Sequence, residues 1–458
     1  MRVLIVNYRF FVSGGPERYM FNVIEELESR GHEVVPFSVR YSANLSTKWE
    51  SRFVDPIAGD DAVRFSEHDT NPRTMLRGLG RLFYSRGVYG ALRDLSREVQ
   101  PDVAYVLHYL RKLSPAVLKA LADEGVPTVV RLSDFQMICP ASHLMRDGSE
   151  CEECVGGSVW PSVRYKCVKG SMALSSVDFA AMTWQRTKGF FDLPYAYACP
   201  SGFIREVMLR AGVSEKRARE IGTFVRPVPE ESLRPIAARP MVIAYVGRIS
   251  PEKGVEVLLE AFSNFVAQDN GREFELHIAG NKTDQYTQEL RRRFESTSIK
   301  WLGWLDRPAI TDLLLSARLS VMPSLSPEVY PNSLIESWAC GTPVVASRIG
   351  SLEHIVTEGQ TGYLFNMGDG CDLQRVLELG LSTDGRPQLM SEACLRVTRG
   401  SLSADVHLQH LVSLFEDAIQ QAHTGRVGIH DSQVPQSGAA HRVSDELGVH
   451  DDTARYSI

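Results

Sequence analysis

The chain has 458 residues, of which 43% are apolar and 23% carry a charge. Single hydrophobic cores stop growing at about 250–300 residues, so this length predicts two domains. The net charge of −6 offers no overall attraction for nucleic acid, and no apolar run reaches the ~18 residues that a membrane-spanning helix needs. These totals exclude a fibrous or disordered chain. They predict a cytoplasmic globular protein that meets its partners through local sites.

The first part of the chain alternates short apolar runs with helical patterns. Its opening unit is a strand, a loop with Gly14 and Gly15, a helix that ends before Gly31, and a second strand. Further strand-like runs occupy residues 102–107, 127–132 and 195–199. Strands that alternate with helices favour a parallel sheet covered on both faces. Residues 1–228 are therefore predicted to form one α/β domain.

The same alternation begins again at residue 241 and predicts a second α/β domain over residues 241–401. Its strand-like runs lie at 241–247, 274–280, 299–304, 319–324, 342–347 and 361–365. The proline-rich segment 229–240 is typical of a linker. An amphipathic helix over 402–422 is expected to pack back on the first domain, and the polar tail 423–458 is expected to be disordered. The cleft between the domains is the expected ligand site.

Two carboxylates flank the start of a predicted helix in the second domain. Glu328 and Glu336 have seven residues between them, and the helical pattern begins near residue 332. The first amides of a helix bind anions well, and here they belong to Asn332, Ser333 and Leu334. Carboxylates beside a phosphate are unfavourable unless they accept hydrogen bonds from neutral hydroxyls, which sugars provide. The combination favours a nucleotide sugar, although each glutamate alone is also typical of a solvated loop or a first helical turn.

A second motif follows the first strand of the same domain. The stretch "VGRISPEKG" places Arg248 and Lys253 around a helix predicted to start at Ser250-Pro251. Two cations in this position can bind a phosphate, and they can equally be exposed charges on a capped turn.

Together these motifs resemble the donor-binding domain of family 4 glycosyltransferases. The matching residues are Gly247, Arg248, Lys253 and Gly254 for a G-R-x-x-x-x-K-G element, and Glu328 and Glu336 for a paired-glutamate element. The resemblance runs from Met1 to about residue 422. It implies the GT-B fold, in which two Rossmann-like α/β domains with parallel sheets face a central cleft. It also implies a retaining, hexosyltransferase-type glycosyltransferase. Such an enzyme moves a sugar from a UDP-, GDP- or ADP-sugar to a hydroxyl of a glycan or lipid-linked acceptor, during synthesis of surface polysaccharides or glycoconjugates.

The resemblance implies a role for each of these side chains. Arg248 and Lys253 would bind the donor diphosphate, Glu328 the transferred sugar and Glu336 the ribose. The chain contains no Asp-x-Asp triplet. We therefore expect the two cations and the helix amides, rather than a metal ion, to stabilise the leaving group. No cofactor is expected for catalysis.

Two segments of the first domain border the expected reaction centre. Gly14 and Gly15 resemble the glycine-rich loop of the family, whose amides approach the donor phosphate, and a tight turn that needs glycine explains them equally. In "LSDFQMICP", Asp134 matches the second residue of a His-Asp pair found in many relatives, and Ser133 stands where the histidine would be. Serine cannot carry a proton near neutral pH, so either that role is small or a neighbour such as His108 or His143 supplies it. The change also leaves open a catalytically silent GT-B protein that binds a nucleotide sugar as a partner or regulator.

Four cysteines form a cluster along the chain. Cys139, Cys151, Cys154 and Cys167 lie in an insertion over residues 139–167, and the middle two form a Cys-x-x-Cys pair. Four thiolates with at least one close pair commonly bind a structural zinc ion. The two wide outer spacings are also compatible with free thiols.

The segment 73–97 is strongly basic. It carries six arginines and a single acid, Asp94, and its leucines fit an apolar helix face. The arginines are Arg73, Arg77, Arg81, Arg86, Arg93 and Arg97. Such a segment is compatible with peripheral contact to an anionic membrane, at the inner face of the plasma membrane, and also with a domain helix that has a solvated basic face.

Overall fold

The structure is a computed structural model that describes residues 1–58, 72–268, 273–281 and 284–424. Its strands are β1 (Arg2–Val6), β2 (Glu33–Phe37), β3 (Val103–Val106), β4 (Thr128–Arg131), β5 (Met145–Arg146), β6 (Ser149–Glu150), β7 (Ala196–Cys199), β8 (Ala218–Glu220), β9 (Val242–Val246), β10 (Glu275–Ala279), β11 (Ile299–Gly303), β12 (Leu319–Met322), β13 (Val344–Ser347) and β14 (Gly362–Phe365). Its helices are α1 (Gly15–Ser29), α2 (Pro72–Leu82), α3 (Arg86–Val99), α4 (Ala116–Asp123), α5 (Pro161–Arg164), α6 (Met172–Thr187), α7 (Gly202–Arg210), α8 (Val255–Gln268), α9 (Gln285–Arg293), α10 (Arg307–Ser316), α11 (Asn332–Ala339), α12 (Gly350–Ile355), α13 (Gly370–Gly380), α14 (Arg386–Arg399) and α15 (Ala404–His423). The tail predicted to be disordered, 423–458, lies outside the described residues except for its first two positions.

The first domain is built on a sheet of six parallel strands in the order β2-β1-β3-β4-β7-β8. The central strands β3, β4 and β7 are buried along their whole length, because helices cover both faces of the sheet. Helices α3, α4 and α7 pack on one face, and helices α1 and α15 pack on the other. This is the doubly covered parallel sheet that the alternating pattern predicts.

The second domain repeats this plan with six parallel strands in the order β11-β10-β9-β12-β13-β14. Helices α8 and α13 cover one face, and helices α10, α11 and α12 cover the other. The prediction of two α/β domains with parallel sheets is therefore confirmed. Each sheet reverses its strand order at one point, between β1 and β3 in the first domain and between β9 and β12 in the second. Ligands of such sheets bind beyond the carboxyl ends of the strands at that point.

Helix α15 follows the second domain in sequence but packs on the first. Its side chains buried in the first-domain core are Leu408, Leu411, Leu414 and Phe415. The His407 ring donates from Nδ1 to the Gly222 carbonyl at 2.7 Å, so its Nε2 accepts from the Tyr19 hydroxyl at 3.0 Å. The chain thus crosses between the domains twice, once before β9 and once before α15.

The domains touch where helices of each begin. Arg18 near the start of α1 donates to Glu336 of α11 at 2.7 Å. The hydroxyls of Ser201, the cap of α7, and Ser351, in the first turn of α12, lie 2.6 Å apart. Helix starts from the two domains therefore face each other across the cleft.

Candidate active site

The loop after β9 is held against the loop after β12 by Gly254. This residue has a φ of +65°, and a Cβ atom there would lie 1.8 Å from the Pro323 carbonyl oxygen, so only glycine fits. Helix α8 begins after this glycine. A helix does start at Ser250-Pro251 as predicted, but it is the short 3-10 helix Pro251–Lys253, and it is separate from α8. The turn brings Lys253 beside the loop that follows β12.

Lys253 and Glu328 form an ion pair in the cleft. The Lys253 ammonium donates to Glu328 Oε1, and the Ser324 hydroxyl donates to the same oxygen at 2.7 Å. The two charged side chains are mostly buried, with 25% and 17% of their surfaces exposed. Burial alone would raise the pKa of Glu328, but Lys253, Ser324 and Arg248 outweigh it and hold the pKa below its usual value. Glu328 is therefore a carboxylate at neutral pH, which accepts hydrogen bonds and donates none.

Arg248 lies on the same loop in a more open position. Its side chain is 64% exposed and donates to Glu252 at 2.8 Å. A Cβ atom at Gly247 would lie 3.1 Å from the Tyr245 hydroxyl, which in turn donates to the Arg248 carbonyl at 2.7 Å. Gly247 therefore leaves room for the tyrosine that fixes this loop, while the guanidinium of Arg248 is accessible to a ligand.

Helix α11 begins at Asn332, close to the predicted position, and the residue before it, Pro331, provides no side-chain cap. The amide of Leu334 donates to the Pro331 carbonyl at 3.1 Å, and its side chain is buried in the second-domain core. Leu334 is therefore not the open donor that the sequence predicts. The amides of Asn332 and Ser333 are the donors that this helix start can offer to an anion.

Arg18 reaches from the first domain to the carboxylate expected to bind the ribose. Its guanidinium donates to Glu336 Oε1 at 2.7 Å, and the two side chains are 27% and 17% exposed. Gly15 approaches the same helix, since a Cβ atom there would lie 2.5 Å from Asn332 Nδ2. Sequence analysis missed Arg18. Its position one turn after Gly14 and Gly15 is the signal that could have identified it.

A buried carboxylate, Glu17, holds the glycine-rich loop in place. It is 1% exposed, and it accepts hydrogen bonds from the Ser13 hydroxyl at 3.0 Å and from Arg9 at 3.2 Å. Gly14 has an extended backbone with a φ of −175°, so the tight-turn explanation does not account for it. At Gly15 a side chain would push aside the end of the Asn332 side chain from the opposite domain.

His108, Ser133 and Asp134 line one small cavity beyond the carboxyl ends of β3 and β4. Its volume of ≈ 20 Å³ suits about one water molecule. His108 Nε2 lies 3.4 Å from Asp134 Oδ2, while Asp134 Oδ1 accepts from the Gln136 amide at 2.9 Å. The Nδ1 atom of His108 is buried and has no hydrogen-bond partner among the described residues. The structure thus groups the three residues that the sequence assigns to the reaction centre.

The four cysteines of the insertion lie near one another. Cys139 and Cys154 are buried, and Cys151 and Cys167 are half-buried. Burial, with a smaller effect from the three neighbouring thiols, raises the pKa of Cys154 to about 12. Across the described ranges, no group of three or more His, Cys, Asp or Glu side chains is arranged to hold a metal ion. The thiols as placed do not fit a zinc ion, and the zinc site stays a prediction.

The basic segment 73–97 consists of two helices. Helix α2 ends at Leu82, and helix α3 begins at Arg86 after its Ser85 cap. Helix α3 buries its apolar face in the first-domain core, as a domain helix would. Helix α2 differs, because Leu76 and Leu79 are 71% and 42% exposed. In the part of the chain that the structure describes, no helix is both long and apolar enough to cross a bilayer.

Cations, carboxylates and two helix starts thus meet beyond the strand-order reversals of both sheets. Such a site suits a ligand that combines phosphates with hydroxyls.

Two Rossmann-like domains that face each other across such a cleft define the GT-B architecture. Comparison with solved structures confirms this fold. Sucrose-phosphate synthase from Thermosynechococcus elongatus matches with a TM-score of 0.64 at 16% identity, over 92% of this chain and 99% of that chain. HepE from Anabaena in complex with UDP and glucose matches with a TM-score of 0.60 at 15% identity, over 91% of this chain and 99% of that chain.

Sequence similarity points to the same class and is found mainly in the second domain. Residues 232–393, a little over a third of the chain, match the family model described as Glycosyl transferases group 1. D-inositol 3-phosphate glycosyltransferase 2 from Catenulispora acidiphila is 33% identical over 132 residues, which are 27% of this chain and 31% of that protein. The chain spans about a third to a half of the length of the curated relatives it matches. The family match contains Arg248, Lys253, Glu328 and Glu336.

Proposed function

We propose that the protein is a retaining glycosyltransferase of family 4, of the hexosyltransferase type. It moves a sugar from a nucleotide-sugar donor to a hydroxyl of a glycan or glycolipid acceptor, in the synthesis of cell-surface polysaccharide or glycoconjugates. It acts in the cytoplasm, peripherally at the inner face of the plasma membrane, and its chemistry needs no metal ion. The observation that carries the proposal is the presence of two cation–carboxylate pairs in this region, Lys253 with Glu328 and Arg18 with Glu336. The family match over 232–393 and the complex of HepE with UDP and glucose support a nucleotide-sugar donor.

Lys253 and Arg248 stabilise the leaving diphosphate. The ammonium of Lys253 has three N–H donors, so it can keep its bond to Glu328 and also donate to a phosphate oxygen. Negative charge grows on the diphosphate as its bond to the sugar breaks. Cations that are already fixed in a partly buried site stabilise that charge more strongly in the transition state than in the bound substrate. The acceptor hydroxyl attacks from the face that the diphosphate leaves, so retention needs no nucleophile from the protein.

Glu328 and Glu336 select hydroxyl groups. A carboxylate can only accept hydrogen bonds, so it binds the hydroxyls of the transferred sugar at Glu328 and those of the ribose at Glu336. Because Glu328 is 17% exposed, a donor without a matching hydroxyl would leave it poorly solvated. The loss of such a contact at a buried polar group discriminates strongly between substrates.

His108 and Asp134 serve the acceptor side. His108 Nε2 lies 3.4 Å from Asp134 Oδ2, and the buried Nδ1 has no hydrogen-bond partner among the described residues. His108 thus supplies a neighbouring imidazole where Ser133 has no titratable group.

The donor assignment is tested by binding and by transfer. UDP-, GDP- and ADP-sugars are screened by thermal shift, since a ligand of the folded state raises its stability. With the donor so identified, Glu328→Gln and Lys253→Ala should each lower transfer by about 100-fold or more. Lys300→Ala is the matched control, because Lys300 forms a half-exposed pair with Glu275 on the outer strands of the same sheet. Full activity in either site variant, with the fold intact by circular dichroism, contradicts the assignment.

A second candidate function is a silent GT-B protein that binds a nucleotide sugar as a partner or regulator. Ser133 favours it, because the family histidine is absent. A nucleotide sugar that binds but never turns over with any acceptor would establish this alternative. An epimerase of the same fold differs again, because it releases free nucleotide without an acceptor. Metal analysis of the purified protein separates a zinc site at Cys139, Cys151, Cys154 and Cys167 from free thiols.

A further inference from the structure

Most of the large apolar side chains that the described residues expose lie on one part of the first domain. They belong to helices α2, α5 and α6 and to the residues beside them. They are Met75, Leu76, Leu79, Trp160, Tyr165, Met172, Leu174 and Leu193. Single exposed apolar residues are ordinary on soluble proteins, whereas a group on neighbouring elements marks an interaction surface.

Helix α6 has an uncharged outer face. From Met172 to Gln185 its single ionisable residue is Asp178, which is buried and accepts from Arg111 at 2.8 Å. The exposed positions of this stretch are Met172, Ala173, Leu174, Ser176, Ala180 and Thr183. A surface helix of a soluble domain normally turns charged residues toward water. The outer face of α6 is therefore suited to a less polar environment.

Helices α2, α5 and α6 form one continuous surface. Gln185 near the end of α6 donates to the Leu82 carbonyl at the end of α2, at 2.7 Å. The ring of Trp184 lies 6.3 Å from that of Phe83, just beyond α2. At the other end, Trp160 before α5 is 55% exposed, and its ring lies 5.4 Å from that of Phe179 on α6.

Cations border this surface and outnumber its acids. Its exposed basic residues are Arg73, Arg77, Arg86, Arg164, Lys166, Lys169 and Lys188. The segments 72–94 and 157–193 contain three acidic residues, the buried Asp178 and the exposed Asp94 and Asp192, against seven exposed cations. The whole chain has a net charge of −6, so this basic character is local. Exposed leucines and a tryptophan among lysines and arginines match the interface of an anionic bilayer.

We propose that helices α2, α5 and α6 bind the surface of a membrane that contains anionic lipids. The apolar side chains enter the interface, and the cations contact the headgroups. The surface is tied to the reaction centre through Arg111, which donates to Asp178 on α6 and to the Pro140 carbonyl at 2.5 Å, six residues after Asp134. The purpose of this surface rests on the proposed function, because membrane contact would bring the site to a lipid-linked acceptor. The binding itself is measured without any substrate.

Flotation of the full chain with vesicles tests the proposal. Wild type should bind vesicles of phosphatidylcholine with phosphatidylglycerol, bind pure phosphatidylcholine weakly, and lose binding at high salt. The triple variant Leu76→Ser, Trp160→Ser, Leu174→Ser should lower partition into the anionic vesicles by about tenfold or more. The matched control is Trp304→Ser with Leu389→Ser on the second domain, where the two side chains are 80% and 65% exposed, and its binding should equal that of wild type.

Three outcomes overturn the proposal. One is no binding of wild type to anionic vesicles, and another is equal binding by the triple variant and the control. The third is a triple variant that binds vesicles normally but changes its oligomeric state in light scattering, since the surface would then bind protein. Transfer to a water-soluble acceptor should be the same in the triple variant and in wild type. A wild type that binds vesicles but transfers no sugar would contradict the proposed function and leave the membrane surface standing.

Discussion

Replacing Arg18 with glutamine tests how the donor enters the cleft. Arg18 donates to Glu336 Oε1 at 2.7 Å, and Glu336 is the carboxylate proposed to accept the ribose hydroxyls. We expect a ribose that binds Glu336 to displace Arg18 from Oε1. Arg18→Gln removes the charge and keeps a side chain of similar polarity, so the competing ion pair is lost and Glu336 is kept.

The structure sets the size and sign of the effect. The two side chains are 27% and 17% exposed, so solvent still screens the pair, and its net value is about 1 kcal/mol. Since about 1.4 kcal/mol is a tenfold change in affinity, the variant should bind the nucleotide sugar about fivefold more tightly. If Arg18 instead binds the diphosphate, its loss must weaken binding. The sign of the change separates the two roles.

The assay is isothermal titration with the nucleotide sugar that thermal shift identifies. Arg30→Gln is the matched control, since Arg30 lies just beyond the other end of α1 and pairs with Glu26 and Asp405, each at 2.5 Å. Its donor affinity should equal that of wild type. Weaker binding by Arg18→Gln, with Arg30→Gln unchanged, would refute the reasoning.

Two further predictions concern His407 and position 133. Burial, and then the nearby Arg131 cation, lowers the pKa of His407 from 6.5 to about 3. The folded protein therefore keeps this ring neutral while the unfolded chain takes up a proton below pH 6.5. Stability that is complete above that pH is lost as the pH falls. The free energy of unfolding, measured in urea, should drop by about 2 kcal/mol between pH 7 and pH 5. The variant His407→Gln should not show this pH-dependent loss. If position 133 faces the donor sugar, Ser133→His should keep or raise kcat and restore activity lost in His108→Ala. A large loss of kcat in Ser133→His alone would contradict that placement.

Local sequence patterns predict the framework of this protein because they depend on nearby residues. The run at 102–107 predicts strand β3, and the amphipathic pattern at 402–422 predicts helix α15 within two residues at either end. The spacing of Glu328 from Glu336 likewise places one in a loop and one on α11, since the helix start lies between them.

Contacts between distant segments could not be predicted in this way. Arg18 and Glu336 are 318 positions apart and meet only because the domains pack with α1 opposite α11. Glu17 is an ordinary first-turn acid in sequence, and its burial depends on Arg9 and Ser13. The sequence pattern of the basic segment 73–97 fits one amphipathic helix. In the structure its halves differ, because α3 packs against the first-domain core while α2 exposes Leu76.

Each of the two carboxylates pairs with a cation of the protein itself, which bears on specificity. Glu328 holds Lys253, and Glu336 holds Arg18. A ligand with phosphates alone would share the Lys253 ammonium with Glu328 and leave the remaining lone pairs of this mostly buried carboxylate without donors, which is costly. A ligand with hydroxyls alone would contact the carboxylates and leave the remaining donors of the cations without acceptors. A nucleotide sugar carries both groups in one molecule, so it can contact the cations and the carboxylates together. Free nucleotide should therefore have a lower affinity than the intact nucleotide sugar, because it lacks the contacts between Glu328 and the sugar.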